Sequence, residues 1–322
     1  MPNSWIDQFV ECFSPTDGRH LNIEQAFILK HAKQPTSIFK FRAVTDYALA
    51  NLSDDTVWLN SPSNYNDPFD CAAALSPSDL MKASLKDPHA PIPFDEIAAR
   101  IGSDLLSEAL SADNPLREIA HRLLSSDPKI DHTRIPEMIE AIEQSYIAVS
   151  APYLSQTVSK IKDSLKICSF CATKEPILMW SHYANNHRGF CVEYATDDLH
   201  DMARRMLFPV IYSEKLFDST PYHTAAMKDL ESFNNLYPIL QALYKAPEWA
   251  YEQEWRLVFA GGVIAEEMNY YIGSPKAVYL GARISDEDRD GVLAVCRQRR
   301  IPVSQMRLAT DKFRLEATPR LL

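Results

Sequence analysis

The chain predicts an α+β fold: mixed or antiparallel sheets from both chain ends, with a mainly helical insertion in the middle. Two patterns carry that expectation. Short runs rich in aromatic and β-branched residues cluster before residue 61 and again after residue 165, and such runs read as strands. The stretch at about 78–166 instead spaces its apolar residues by three and four, the period of amphipathic helices. Strands and helices segregated along a chain point to α+β. A third observation narrows the class. Eight glycines in 322 residues is roughly a third of the ~7% average, and neither Gly-x-Gly-x-x-Gly nor a P-loop occurs. This argues against a Rossmann dehydrogenase, a P-loop NTPase and a protein kinase. Side chains, rather than a glycine cradle, would hold the phosphates of any nucleotide.

Taken in order, residues 1–35 read as a helical extension with one helix near Ile23–His31, and residues 36–322 as a single α+β domain. Ser37–Arg42 is a strand, Thr45–Leu52 a helix and Thr56–Asn60 a short strand. Ser61–Asp70 crowds Pro, Asn and Asp together and is a loop. After the helical insertion, Lys166–Cys171 is a strand. Thr173 is placed to cap a helix over Lys174–Arg188, with Pro176 in its first turn and Gly189 as its stop. Phe190–Tyr194 and Pro209–Tyr212 are strands, and Thr224–Lys245 a helix. Trp249–Ala260 is a long strand, followed by strand Ala277–Leu280, helix Glu287–Arg299, and strands near Val303–Ala309 and Phe313–Glu316.

Composition excludes some functions. With 46% hydrophobic and 24% charged residues and a formal net charge of −10, the chain is unlike the basic proteins that coat nucleic acid. No ~20-residue apolar run suits a membrane span, and the start MPNSWIDQFVECF lacks the pattern of a signal peptide. The six cysteines are scattered, so no secreted disulfide framework is expected. These features read as a cytoplasmic protein.

The candidate chemistry centres on Tyr251-Glu252-Gln253-Glu254-Trp255-Arg256. On a strand, Glu252, Glu254 and Arg256 would share one face. Two carboxylates and a guanidinium on an interior strand either satisfy each other or handle a ligand. Trp180, His182 and Tyr183 place aromatic and polar groups on one helix, suited to stacking on a ring and bonding its edges. Tyr65, Asn66 and Asp67, in the Asn/Asp-rich loop, suit ribose hydroxyls as well as simple backbone capping. Lys40 and Arg42 share a face of the first strand and suit a phosphate or carboxylate. Cys168-x2-Cys171 with His182-x4-His187 has zinc-like spacing, but Cys168 and Cys171 face opposite sides of a strand, so no metal is expected.

Several segments together resemble one bacterial family, domain-of-unknown-function 2971. They are FKFR, VWLNSPSNYNDPFD, ICSFC with ILMWSHYANNHRGFCVEY, YKAPEWAYEQEWRLVF and VYLGARIS, spanning about residues 36–316. That family brings no activity with it. The arrangement is also similar to ADP-ribosyltransferases, which carry a basic residue on an early strand and a Glu-x-Glu or lone Glu late in the chain. That resemblance implies an enzyme that consumes NAD as substrate, transferring ADP-ribose to a protein or nucleic-acid acceptor or hydrolysing NAD, in a bacterial defence or toxin setting. Glu254 would be the catalytic carboxylate with Glu252 its partner. Arg42, Lys40, Tyr65, Asn66, Asp67, Trp180, His182, Tyr183 and Arg256 would bind the nucleotide. Two other readings stand beside it. One is a nucleotide- or RNA-processing enzyme, such as a nuclease, in which Asp67, Asp70, Glu252 and Glu254 hold Mg²⁺ or act as acid and base. The other is a non-enzymatic sensor or interaction module whose Glu–Arg cluster is structural.

Overall fold

The structure, a computed structural model, describes residues 4–85 and 94–321. Two helices, α1 (Trp5–Phe13) and α2 (Ile23–Lys33), precede β1 (Ser37–Arg42), α3 (Asp46–Ser53) and β2 (Thr56–Leu59). The loop beyond β2 leads through β3 (Ala73–Ala74) into the helical segment: α4 (Pro77–Leu85), α5 (Phe94–Ile101), α6 (Ser103–Ser111), α7 (Pro115–Ser126) and the long α8 (Ile135–Ser164). Residues 86–93 of the expected insertion lie outside the described residues. Then come β4 (Lys166–Cys171), α9 (Ile177–Tyr183), β5 (Phe190–Ala195), α10 (Asp201–Arg205), β6 (Leu207–Pro209), β7 (Ile211–Tyr212) and β8 (Phe217–Asp218). The chain ends with α11 (Thr220–Lys228), α12 (Tyr237–Leu243), β9 (Tyr244–Lys245), β10 (Glu254–Phe259), β11 (Met268–Tyr271), β12 (Ala277–Leu280), α13 (Asp286–Arg299), β13 (Val303–Leu308) and β14 (Leu315–Ala317).

The fold is α+β, built on one mixed sheet of eight strands in the order β14-β13-β12-β5-β1-β4-β10-β6. Every neighbouring pair is antiparallel except β12–β13, which α13 connects as a parallel crossover. Alternation along the strands sends side chains to two faces. Ile38, Phe170, Val192, Leu257 and Val278 pack on one face beneath α3, α13 and the β2–β11 ribbon. The opposite face carries two separate apolar clusters. One gathers Ile167, Phe208 and Val258 under α1 and α12, and the other gathers Phe39, Phe41 and Cys191 under α9. Among the described residues, no helix is long and apolar enough to cross a membrane.

Several elements differ from the sequence expectation, each for a local reason. The extension before β1 holds two helices rather than one, because Ser4 and Asp7 form a capping box that starts α1. The expected Lys174–Arg188 helix is only Ile177–Tyr183. Asn185, Asn186 and His187 follow it at φ 47°, 55° and 67°, and asparagine tolerates that left-handed region better than most residues. The expected Thr224–Lys245 helix breaks at Asp229–Leu236 into α11 and α12, and Tyr244–Lys245 is a strand. The start of the expected Trp249–Ala260 strand is a 3-10 turn over Pro247–Glu252, led by a proline that has no N–H to give a ladder. Gln253, left-handed at φ 44°, then turns the chain into β10.

The seam between β1 and β4 positions the rest. β1 pairs with β5 over six residues and β4 with β10 over six, yet β1 and β4 are paired only at Phe39↔Cys171. Asn60, just past β2, exchanges both backbone hydrogen bonds with Ile167 (3.0 and 2.9 Å). It thereby occupies the stretch of β4 edge that β1 would otherwise continue along. The sheet is open below that point. The far end of β1 is held by close backbone approach, since a Cβ on Gly189 would lie 2.0 Å from the Arg42 carbonyl oxygen. Gly189→Ala is expected to destabilise the protein by about 1–3 kcal/mol through overpacking. Denaturant melts would measure it, and an unchanged midpoint would contradict this account of the seam.

Candidate functional site

A cavity of about 380 Å³ opens along this seam. Phe39, Lys40, Phe41 and Arg42 of β1 line one side, and Ile167–Cys171 of β4 the other. Trp58 and Asn60 come from the β2 end, Tyr65, Asn66, Asp67 and Asp70 from the loop, Met179 and Tyr183 from α9, and Lys245, Trp249, Glu252 and Glu254 from the chain around β9 and β10. Because residues from both faces of the sheet contribute, the cavity extends into the seam itself.

Its inner wall is an ionic network. Arg256 is fully buried and donates from Nε to Glu254 Oε1 (2.7 Å) and from Nη2 to Glu254 Oε2 (3.2 Å) and Asp70 Oδ2 (2.9 Å). Its Nη1 donates to the Ala242 carbonyl at 2.6 Å and lies 2.8 Å from Asp70 Oδ1. The Lys245 ammonium sits between two glutamates, 2.5 Å from Glu252 Oε2 and 2.7 Å from Glu254 Oε2, with Asp70 at 3.8 Å. The Trp249 ring covers it at 5.0 Å. The Tyr183 hydroxyl donates to Glu252 Oε1 at 2.7 Å, and the Glu254 N–H donates to the Tyr212 hydroxyl at 2.9 Å. With all five groups ionised, three carboxylates face two cations.

The two glutamates are chemically different. Burial alone would raise the Glu254 pKa, but the Arg256 guanidinium and Lys245 ammonium outweigh it and hold this carboxyl well below its ordinary range. For Glu252, burial and repulsion from Glu254 together exceed the help of Lys245 and Tyr183, so its pKa is raised. Burial likewise pushes the Tyr183 and Tyr65 hydroxyls up, so both stay protonated, Tyr183 as the donor to Glu252. Lys245 is held above its ordinary value: burial alone would lower it, but the surrounding carboxylates, Glu254 first, outweigh that.

Of the residues read from the sequence as a site, the cavity wall brings together Lys40, Arg42, Tyr65, Asn66, Asp67, Tyr183, Glu252 and Glu254. Lys40 donates across the seam to the Ser169 carbonyl (2.8 Å), and Arg42 donates from Nη1 to Asn51 (2.9 Å). Each therefore keeps donors to spare. Asp67 caps the Phe69 N–H at 2.9 Å, the structural role open to it in the sequence. Three residues expected to bind a ligand are placed elsewhere. Trp180 is fully buried, its indole N–H satisfied by the Lys174 carbonyl and its ring edge-on to Phe41. Arg256 lies behind Glu254 with no surface left for a ligand. His182 is exposed at the end of a helix that stops one residue later. Glu252 is on the 3-10 turn, so strand alternation does not align it with Glu254; their shared contact with Lys245 does.

Lys245 and Trp249 were not foreseen. A usable signal existed: two glutamates against one arginine leave a negative surplus, and Lys245 is the nearest cation upstream of them.

This is an α+β protein with a side-chain-lined cavity backed by a buried carboxylate–lysine–arginine network. Residues 179–257 match the family model DUF2971, described as a protein of unknown function. The resemblance to that family read from the sequence is supported over those residues, which include both MWSHYA and YEQEWR. No curated protein and no solved structure matches the chain.

Removing one member of a buried ionic network leaves the others uncompensated, at about 3–5 kcal/mol. Arg256→Met is expected to cost that much in denaturant melts. A pH effect follows from Glu254. Its folded pKa is depressed, so its contribution is present above the ordinary carboxylate range, about 4.3, and is lost as pH falls below it. The parent protein should lose stability below about pH 4 more steeply than Glu254→Gln; parallel acid profiles would contradict the assignment.

Proposed function

We propose that the cavity consumes NAD, as an ADP-ribosyltransferase-like enzyme that transfers ADP-ribose or hydrolyses NAD. One observation carries the reading: a buried, raised-pKa carboxylate, Glu252, faces the same cavity as two cations with spare donors, Lys40 and Arg42. The cations suit the pyrophosphate. The aromatic side chains of Tyr65, Trp58 and Trp249 suit the rings. Cleaving the nicotinamide–ribose bond builds positive charge on the ribose, and a fixed carboxylate aimed at that charge stabilises the transition state.

The network divides the roles differently from the sequence ranking. Glu254 has both oxygens committed to Arg256 and Lys245, so it is the positioning residue. Glu252 also has both oxygens engaged, but by one cation and one neutral hydroxyl, Lys245 and Tyr183, so it is the less tightly held of the two and the one that faces the substrate. The metal-dependent nuclease reading fares worse on geometry, because the Lys245 ammonium stands between Asp70, Glu252 and Glu254 where a cation would have to sit.

Glu252→Gln keeps the shape of the side chain and one of its two acceptor oxygens, and it removes the surplus negative charge, leaving Asp70 and Glu254 against Arg256 and Lys245. It is expected to lower nicotinamide release ~10²–10³-fold with little change in melting temperature. Glu254→Gln is expected to lower both activity and stability. Nicotinamide release assayed beside thermal melts separates the two, and full activity in Glu252→Gln would remove this mechanism.

A further inference from the structure

Both carboxylates of the acid pair are almost fully covered. Glu252 is 3% exposed and Glu254 4%. Behind them Arg256 and Cys71 are sealed and Asp70 is 5% exposed. Trp249 covers Lys245 from one side, and the Tyr183 hydroxyl closes on Glu252 from another. The carboxylates are therefore approached through the cavity of about 380 Å³, a volume near the lower end for a drug-sized ligand. A nucleotide bound there fills its own approach route.

Bond formation requires the nucleophile within ~3–3.5 Å of the reacting carbon. That carbon, to be stabilised by Glu252, must sit against a carboxylate buried in the wall. A side chain or base presented by a folded macromolecule would have to enter the cavity together with the substrate. Water is small enough to share it.

We infer that the nucleophile at this site is water, so that the protein is an NAD glycohydrolase rather than a transferase to macromolecules. The inference rests on the NAD-consuming reading and deepens it. The bond from ribose C1′ to the nicotinamide nitrogen breaks, and its electron pair leaves with neutral nicotinamide. A bond from the water oxygen to C1′ forms, and one water proton passes to the Glu252 carboxylate and then to solvent. The products are nicotinamide, ADP-ribose and one proton, with no further reactant. A carboxyl whose pKa is raised is the better proton acceptor of the pair.

The test incubates the full chain with NAD radiolabelled in its ADP-ribose half, with and without bacterial lysate, and separates acid-precipitable label from free products. The expected result is nicotinamide and free ADP-ribose in equal amounts in both conditions, with release falling ~10²–10³-fold in Glu252→Gln. Nicotinamide release with the label on protein or nucleic acid, or in a cyclic product, would overturn water as nucleophile and leave the NAD reading standing. No nicotinamide release in either condition would overturn both. Release that persists undiminished in Glu252→Gln would also overturn the inference, because it would not arise at this site.

Discussion

A guanidinium with no exposed surface organises this protein. Burying Arg256 is costly unless every donor is met and the charge is balanced. Meeting that demand draws together segments far apart in sequence: Asp70 from the loop after β2, the Ala242 carbonyl at the end of α12, and Glu254 two residues away on β10. Glu254 then requires a second cation, which Lys245 supplies, and Lys245 in turn binds Glu252. Each step is forced by the charge left over from the one before. The sequence of demands ends at the cavity wall, where Glu252 carries the remaining unbalanced charge.

That ordering explains how two glutamates one residue apart acquire opposite characters. Glu254 lies nearer the cations and is held ionised. Glu252 shares only one of those cations and lies beside another carboxylate. Environments that push paired acids apart in pKa are a recurrent arrangement for dividing acid–base work. Gln253, between them, is left-handed. A strained residue of about 1–3 kcal/mol persists where surrounding structure over-determines it, and here the network on either side does so.

Much of the fold was legible because it rests on local pattern. The apolar period separated the helical middle from the strands, and β1, β4, β5, β12 and α13 fall close to where alternation and capping put them. What was illegible depends on partners distant in sequence. β11 is a strand because β2 offers it an edge, and its own cue, the short run Tyr270-Tyr271-Ile272, is too brief to place it without that partner. Trp180 looked like a stacking platform because an aromatic on a polar helix suits a ligand as well as a core; only the placement of Phe41 and the Lys174 carbonyl decides. The site was legible in part: Glu252, Glu254, Lys40, Arg42 and the loop residues converge, while Lys245 belonged to a stretch that reads equally well as the end of a helix.

The seam links the helical segment to the cavity. The segment leaves the sheet just after the loop that carries Tyr65, Asn66, Asp67 and Asp70, and returns through α8 into β4, with only Leu165 between them. Both of its roots are therefore cavity walls. The last turn of α8 also grips the loop: the Asp163 carboxylate accepts from Ser63 Oγ at 2.6 Å, and Lys162 donates to the Pro68 carbonyl at 3.0 Å. A loop rich in Asn, Asp and Pro has few apolar contacts to fix it, and conformational entropy works against its order. Braced by α8 on one side and drawn in through Asp70 by Arg256 on the other, it is held at the open seam. The seam stays open because Asn60 takes the backbone of Ile167 that β1 would otherwise pair with. Cavity, loop and helical segment thus share one cause, the early parting of β1 from β4.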